Sequence, residues 1–408
     1  MTDPCGHVFV SYRRARATET GNLARRLNAR GVPLWIDISD LGHDSTEAQI
    51  TEALEEETCA GAVAWVTPEV ADSAVIRRIE VPGIVQRARR RDGFFAVMAI
   101  AGGLTYAEAA PVAAENLGTE DLRFWNTHKV DGDPAPPTEL DRLADVILRE
   151  RLQAIAATLS ANEPWRVGIW VRREPPADRR EALQLDWHEI FDGRQAARDA
   201  WDTELLPALR SVHEELTRIG VDRSLVVGGY PTLSTAVAFG RMFPAVAGIS
   251  VAWDQVAPDG SRALWSLGAP AEDSGFSVTT RGSDPRGDGL AVVVSVSQDA
   301  NGAYAASSLP PMRAVIEVTP AADRTAKQLK AGAARKLAHE VADAVRRAKT
   351  SHIGVREIHL FLAGPVGLAM MIGQLLNAVG PMTVYEHIDD DSVGHYVPEV
   401  RIPASGLL

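Results

Sequence analysis

The chain contains one supersecondary unit twice, and this repeat limits its fold more than any other feature. Residues 225–231 (LVVGGYP) form an apolar strand that enters a Gly/Pro turn. A helix of small residues with Gly240 follows, then a strand ending at Trp253. Residues 358–365 (IHLFLAGP) do the same, with Gly373 in the helix and Tyr385 closing the second strand. Pro231 to Trp253 is 22 residues and Pro365 to Tyr385 is 20. A further strand opens each copy, at 167–171 and at 290–295. Strands joined by crossover helices build parallel sheets. The pair reads as two Rossmann-like units, about 165–256 and 288–390, related by a pseudo-twofold. Such units recur in unrelated α/β folds, so the repeat specifies architecture before function.

The N-terminal part alternates in the same way. Apolar strand patterns lie at 7–10, 32–36, 62–66, 94–100 and 122–125. Amphipathic helical patterns lie at 20–30, 46–57, from 73 onward, and at 138–157. The last opens with Thr138-x-x-Asp141, which resembles a capping box. A parallel sheet covered on both faces follows from this order. Ligands of such sheets bind beyond the carboxyl ends of the strands, where Ser11, Asp37 and Thr67 fall. The segment 160–164 reads as a linker between a domain at 1–158 and one at 163–408.

Composition narrows the partners. A chain of 408 residues suits two or three domains. The formal charge, 42 − 54 = −12, argues against a DNA or RNA polymer but not against a small anion in a local pocket. Cys5 and Cys59 make neither a disulfide framework nor a metal-ligand spacing, which fits a reducing compartment. The longest apolar run, 361–382, is broken by Gly364-Pro365, Gln374 and Asn377. It reads as strand, turn and buried helix rather than a membrane span. No signal peptide pattern opens the chain, and the expected location is the cytoplasm. Walker A, HExxH and GxSxG patterns are absent. Arg87, Arg89, Arg90 and Arg91 form a basic cluster that suits a solvated helix end.

Four segments in order, Val8-Phe9-Val10-Ser11-Tyr12, Gly31 to Asp37 (GVPLWID), Ala64-Trp65-Val66-Thr67-Pro68-Glu69, and Ser73 through Glu80-Val81-Pro82, resemble a TIR domain of the prokaryotic type. The resemblance covers about 150 residues and implies a flavodoxin-like fold. Many members of that family cleave NAD; others act only as adaptors. Glu80 matches the family's catalytic glutamate, seven residues after Ser73 and so expected on the same helix face. The resemblance places Ser11, Tyr12 and Arg13 on the nucleotide side, with Asp37, Asp40 and Ser73 around the site. Residues 37–44 correspond to the mobile BB loop that in this family contacts a neighbouring domain. Val75 and Ile76 stand where the family often has an aromatic and a cysteine, a departure that weakens the carry-over of base-stacking contacts. Trp35 and Trp65 fit a core role better than a stacking one.

The region from about 160 to 395, and 358–387 in particular, resembles a SAVED domain, a family of two fused CARF-like units. That family senses cyclic oligonucleotides in the bacterial anti-phage systems called CBASS, attached to effectors that include TIR domains. Free N–H groups at helix N-termini after the Gly/Pro turns suit phosphates. Candidate ligand residues are Arg172, with Arg173 beside it, Gly229, Tyr230, Trp253, Tyr304, Gly364, Pro365 and Tyr385. Each also fits packing or solvation.

The expected fold is therefore α/β: a flavodoxin-like TIR domain, then a SAVED domain of two fused units. The expected function is an NAD+ glycohydrolase switched on by a cyclic oligonucleotide, expected to be a cyclic trinucleotide, and by self-association. NAD+ is then substrate, the cyclic nucleotide is activator, and no cofactor or metal is expected. The alternative is a TIR adaptor or scaffold without catalysis, assembled by nucleotide binding.

Overall fold

A computed structural model describes residues 2–36, 43–109, 125–160, 163–178, 180–220, 224–257, 259–321, 329–389 and 394–404. Two compact units emerge. The first is Met1–Glu163 with Pro175–Asp186 and Glu214–Val221; the second is Pro164–Glu174, Trp187–His213 and Asp222–Leu408.

The first unit contains β1 (His7–Ser11), α1 (Ala17–Ala29), β2 (Leu34–Trp35), α2 (His43–Glu55), β3 (Cys59–Val66), α3 (Val81–Arg89), β4 (Phe95–Ile100), β5 (Asn126–Lys129) and α4 (Pro137–Thr158). Its sheet has the order β2-β1-β3-β4-β5, with every pairing parallel. This is the strand order of flavodoxin-like sheets. All residues of β3 and β4 are buried, as expected of inner strands covered on both faces. Trp65 is core at 1 % exposure, and Trp35 stacks on Phe9 at 5.1 Å.

Several local expectations change. Helix α4 begins at Pro137 with Pro136 as its cap residue and no side-chain cap bond, so Thr138 and Asp141 form no capping box. Proline suits the first helical position because its missing N–H has no partner there. Asp141 instead pairs with Arg26 and Arg30 of the α1 end. The last strand is Asn126–Lys129; 122–124 lie outside the described residues. Arg87 is not solvated. It is 3 % exposed, pairs with Asp92 at 2.7 Å and lies 5.2 Å from the Phe94 ring.

One buried charge ties this unit together. Arg151 of α4 is fully buried and donates to the carbonyls of Cys5, Gly6, Glu181 and Ala182. Desolvation lowers its pKa to about 10, so it stays cationic at neutral pH.

The chain continues through β6 (Trp165–Trp170), β7 (Leu183–Asp186), the two-residue strands β8 (Phe191–Asp192) and β9 (Gln195–Ala196), and α5 (Leu206–Arg218). The first repeat then adds β10 (Ser224–Tyr230), α6 (Leu233–Met242), β11 (Ser250–Val256) and β12 (Arg262–Ser266). After β13 (Phe276–Gly282), the second repeat has β14 (Gly289–Ser295), α7 (Asn301–Ala306), β15 (Met312–Pro320), α8 (Ala331–Ser351), β16 (Glu357–Ala363), α9 (Val366–Leu375), β17 (Met382–Ile388) and β18 (His395–Ile402).

The two halves of the second unit are wired alike. In the first, β10 lies between parallel neighbours β6 and β11, and β12 joins β11 antiparallel. In the second, β16 lies between parallel β14 and β17, and β18 joins β17 antiparallel. The repeat read from the sequence is therefore structural. Helices α6 and α9, ten residues each and buried at every residue but the first, pack on one another. A Cβ on Gly240 would stand 2.1 Å from the Met370 carbonyl oxygen, and one on Gly373 would stand 2.4 Å from that of Val237. The contact is reciprocal: each glycine stands three residues after the carbonyl that the other approaches. Backbone on both sides leaves no room for a methyl group.

Candidate functional site

In the first unit the carboxyl ends of the strands carry Ser11, Tyr12 and Arg13 after β1. Ser11 is 2 % exposed; Tyr12 and Arg13 are half-buried. Asp37 and Asp40 lie outside the described residues. Ser73 is buried, and its hydroxyl accepts the Ile76 N–H at 3.3 Å. Residues Ile76–Glu80 form a π turn, and α3 starts only at Val81. The expected two regular turns between Ser73 and Glu80 are therefore absent. The wider turn alters their phase, and Ser73 itself is extended. Glu80 ends the π turn at 8 % exposure.

An ion-pair cluster that the sequence did not suggest spans this rim. Arg16, in the turn after β1, reaches Glu69 after β3 at 2.8 Å, Asp133 after β5, and Glu19 of α1 at 3.2 Å. The Thr67 hydroxyl and the Arg16 guanidinium hold the Glu69 carboxyl down at about 2. The crevice between β1 and β3, where the strand order reverses, is the usual ligand position in such sheets. Here a charge network bridges it.

The second unit has a cavity of about 950 Å³. The first half supplies Gln255 of β11 and Ala263 and Trp265 of β12; the second supplies Val296 and Ser297 beyond β14, Lys330 and Gly332 at the start of α8, and Pro365 at the start of α9. Lys330 and Pro365 are the cap residues of α8 and α9, and neither makes a side-chain cap bond. Two helix N-termini, an ammonium group and an indole thus border one space. That set offers donors to phosphates and an apolar ring to a base. A Cβ on Gly367 would stand 2.8 Å from Trp265 and 3.1 Å from Trp253, so glycine lets both indoles pack on the first turn of α9.

The pseudo-equivalent position at α6 is filled. Thr232 caps the helix by accepting the Thr235 N–H. The Ser234 N–H donates to Glu386 Oε1 at 2.8 Å. Glu386 comes from β17 and is 2 % exposed; burial pushes its carboxyl upward, against smaller opposing contributions from Ser234 and Arg194. Nearby on β18, Glu399 accepts from the Ala196 N–H and the Trp201 indole.

The expected ligand residues separate into three groups. Gly364, Pro365 and Trp253 lie around the first turn of α9, with Pro365 on the cavity wall. Trp253 and its cross-strand partner Trp265 are each 5 % exposed, and it is Trp265 that lines the cavity. Arg172, Gly229 and Tyr230 lie at the ends of β6 and β10. Arg172 is exposed, and Arg173, not Arg172, stands 3.4 Å over the Tyr230 ring. Gly229 has φ 114° and a virtual Cβ 2.2 Å from the Ile169 carbonyl oxygen, so backbone geometry explains it. Tyr304 and Tyr385 belong to an aromatic core. Tyr385 is 4 % exposed, stacks on Phe361 at 4.4 Å and bonds to His359 Nδ1; burial pushes its phenol up to about 12. Tyr304 meets Phe361 edge-on at 5.0 Å. Tyr385 is closed to a stacking base, while Tyr304 is half-buried. The expected open N–H groups are taken at α6 by Thr232 and Glu386, and at α9 the Gly367 N–H is taken by Gln255.

Lys330, Trp265 and Gln255 line the cavity without a sequence motif that marks them; the one signal for Trp265 is its place opposite Trp253 in the β11–β12 hairpin.

Among the described residues no helix is long and apolar enough to cross a membrane. No curated protein matches the chain. The Acinetobacter baumannii Cap4 SAVED/CARF-domain containing receptor, in its structure with the cyclic trinucleotide 3'3'3'-cAAA, is 15% identical at a TM-score of 0.48, over 90% of this chain and 87% of that one. The Moraxella osloensis Cap4 SAVED/CARF-domain containing receptor is 15% identical at 0.43, over 88% and 86%. Residues 207–402, which include the cavity and both helix N-termini of the repeat, match the family model of SAVED, the SMODS-associated and fused to various effectors sensor domain.

Proposed function

We propose that this chain is an NAD+ glycohydrolase gated by a cyclic oligonucleotide in CBASS-type anti-phage defence. The observation that carries the sensor part is the cavity of about 950 Å³ inside the SAVED-matching residues, bordered by Lys330, Trp265 and the α8 and α9 N-termini. A ring of linked nucleotides, of which a cyclic trinucleotide is the expected class, has phosphates for those donors and bases for Trp265. The effector part rests on the TIR resemblance, supported by the flavodoxin-like strand order. In this reading the N-glycosidic bond of NAD+ breaks and nicotinamide leaves with the bonding pair as a neutral base. The sugar passes through an oxocarbenium-like state. Glu80 stabilises that positive charge, water adds at the sugar carbon, and its proton goes to solvent. Self-association after ligand binding completes the site. Depletion of NAD+ then arrests the infected cell.

A specific observation favours the adaptor reading: Arg16 bridges the β1/β3 crevice with ion pairs. One experiment decides. Nicotinamide release is measured with and without cyclic di-, tri- and tetranucleotides, beside Glu80→Gln. Release with one ligand only, abolished in Glu80→Gln, is expected. Ligand binding without release would leave the adaptor.

A further inference from the structure

We propose that Glu386 is a specificity-determining residue, an internal carboxylate that occupies the α6 N-terminus and confines anionic ligand groups to the opposite pole at α9. The proposal rests on the sensor reading above. Helices α6 and α9 are matched in length and related by the reciprocal glycine contact. In each, the second N–H of the helix points to a side-chain oxygen from the second strand of the other half. At α9 that oxygen is the neutral amide of Gln255, 3.4 Å from Gly367 N, on the wall of the open cavity. At α6 it is the Glu386 carboxylate, 2.8 Å from Ser234 N and 2 % exposed. A phosphate entering at α6 must displace this group or lie against it. A helix N-terminus favours one anion there, and Glu386 already fills that role. The pseudo-symmetric fold therefore carries one pole held by a neutral amide on a cavity wall and one held by a buried carboxyl group. Ligands that must engage both poles with anionic groups find the Ser234 N–H at α6 already taken, a device that separates ligands of similar composition.

The test uses the full chain, with inorganic phosphate as the probe. In the wild type, phosphate is expected to leave hydrogen exchange at the Ser234 amide unchanged. In Glu386→Ala it is expected to slow that exchange and raise the thermal midpoint by about 2–4 °C. A folded Glu386→Ala that ignores phosphate overturns the proposal, as does slowed Ser234 exchange in the wild type. If the alanine variant does not fold, Glu386→Asp draws the carboxylate back by one methylene. Faster Ser234 exchange, slowed again by phosphate, is then expected, and no response is the contrary result. A parallel titration of the wild type with cyclic nucleotides isolates the sensor reading. If none binds, that reading fails, while the phosphate measurements still decide the role of Glu386.

Discussion

The rim of the first-unit sheet and the α9 pole of the second unit are both strand-end positions of parallel sheets, finished in opposite ways. At the first, Arg16 gathers Glu19, Glu69 and Asp133 across the loops after β1, β3 and β5. At the second, the loops stand apart around a cavity of about 950 Å³ whose one cation among the described residues, Lys330, is exposed. Fold topology marks where a ligand can sit. Side chains several strands apart decide whether the place is already taken.

The largest expected effect breaks the scaffold of the open pole. Gly240→Val forces a branched side chain against the Met370 carbonyl and should cost about 3 kcal/mol, read as a lower urea midpoint. Gly373→Val should cost about the same, because the contact is reciprocal. Unequal losses would show that the two helices are not equivalent supports. Next, on the proposed sensor reading, Lys330→Ala should weaken cyclic-nucleotide binding about tenfold, the worth of one charge-assisted hydrogen bond. Arg16→Ala should leave that affinity unchanged; equal losses in both variants would erase the distinction between the two places. The smallest effect concerns the closed rim. Arg16→Ala should lower stability by about 0.5 kcal/mol, since Glu69 is more than a third exposed and screened by solvent. The Glu69 carboxyl is held below its unfolded value. Its contribution is thus present above about pH 4.5 and lost as the pH falls towards 2. Urea midpoints at pH 6 and pH 3 should converge between variant and wild type at the lower pH. A constant gap would mean that Glu69 does not carry the effect.

Much of this was legible because it is local. Alternating strands and helices follow from apolar spacing, and the repeat follows from two glycines in corresponding helices. Gly240 and Gly373 even mark where the two halves meet, although the sequence does not say that they touch each other. The buried run through α9 was distinguishable from a membrane span by its interruptions. What escaped depends on distant partners. Arg16 and Asp133 are 117 residues apart, and Ser234 and Glu386 are 152 apart. No window of sequence contains both members of either pair. Tyr385 was misjudged for the same reason. A tyrosine at a strand end reads as available until Phe361, His359 and Tyr396 close around the aromatic cluster. The π turn before α3 likewise leaves no mark in residue spacing, yet it changes which side chains accompany Glu80.

The buried Arg151 bears on how this protein can be taken apart. Two of its four carbonyl partners, Cys5 and Gly6, precede β1, and the other two, Glu181 and Ala182, follow the segment that leads into the second unit. A fragment that stops at residue 158 or 163 keeps the guanidinium and discards half of its acceptors. Gly31 would lose its bond to the Gln184 N–H in the same cut. An isolated first-unit piece prepared that way carries a poorly solvated charge in its interior. Inactivity of such a fragment would therefore report on its broken core before it reported on Glu80. Activity comparisons belong on the intact chain, where the polypeptide returns to complete the first unit.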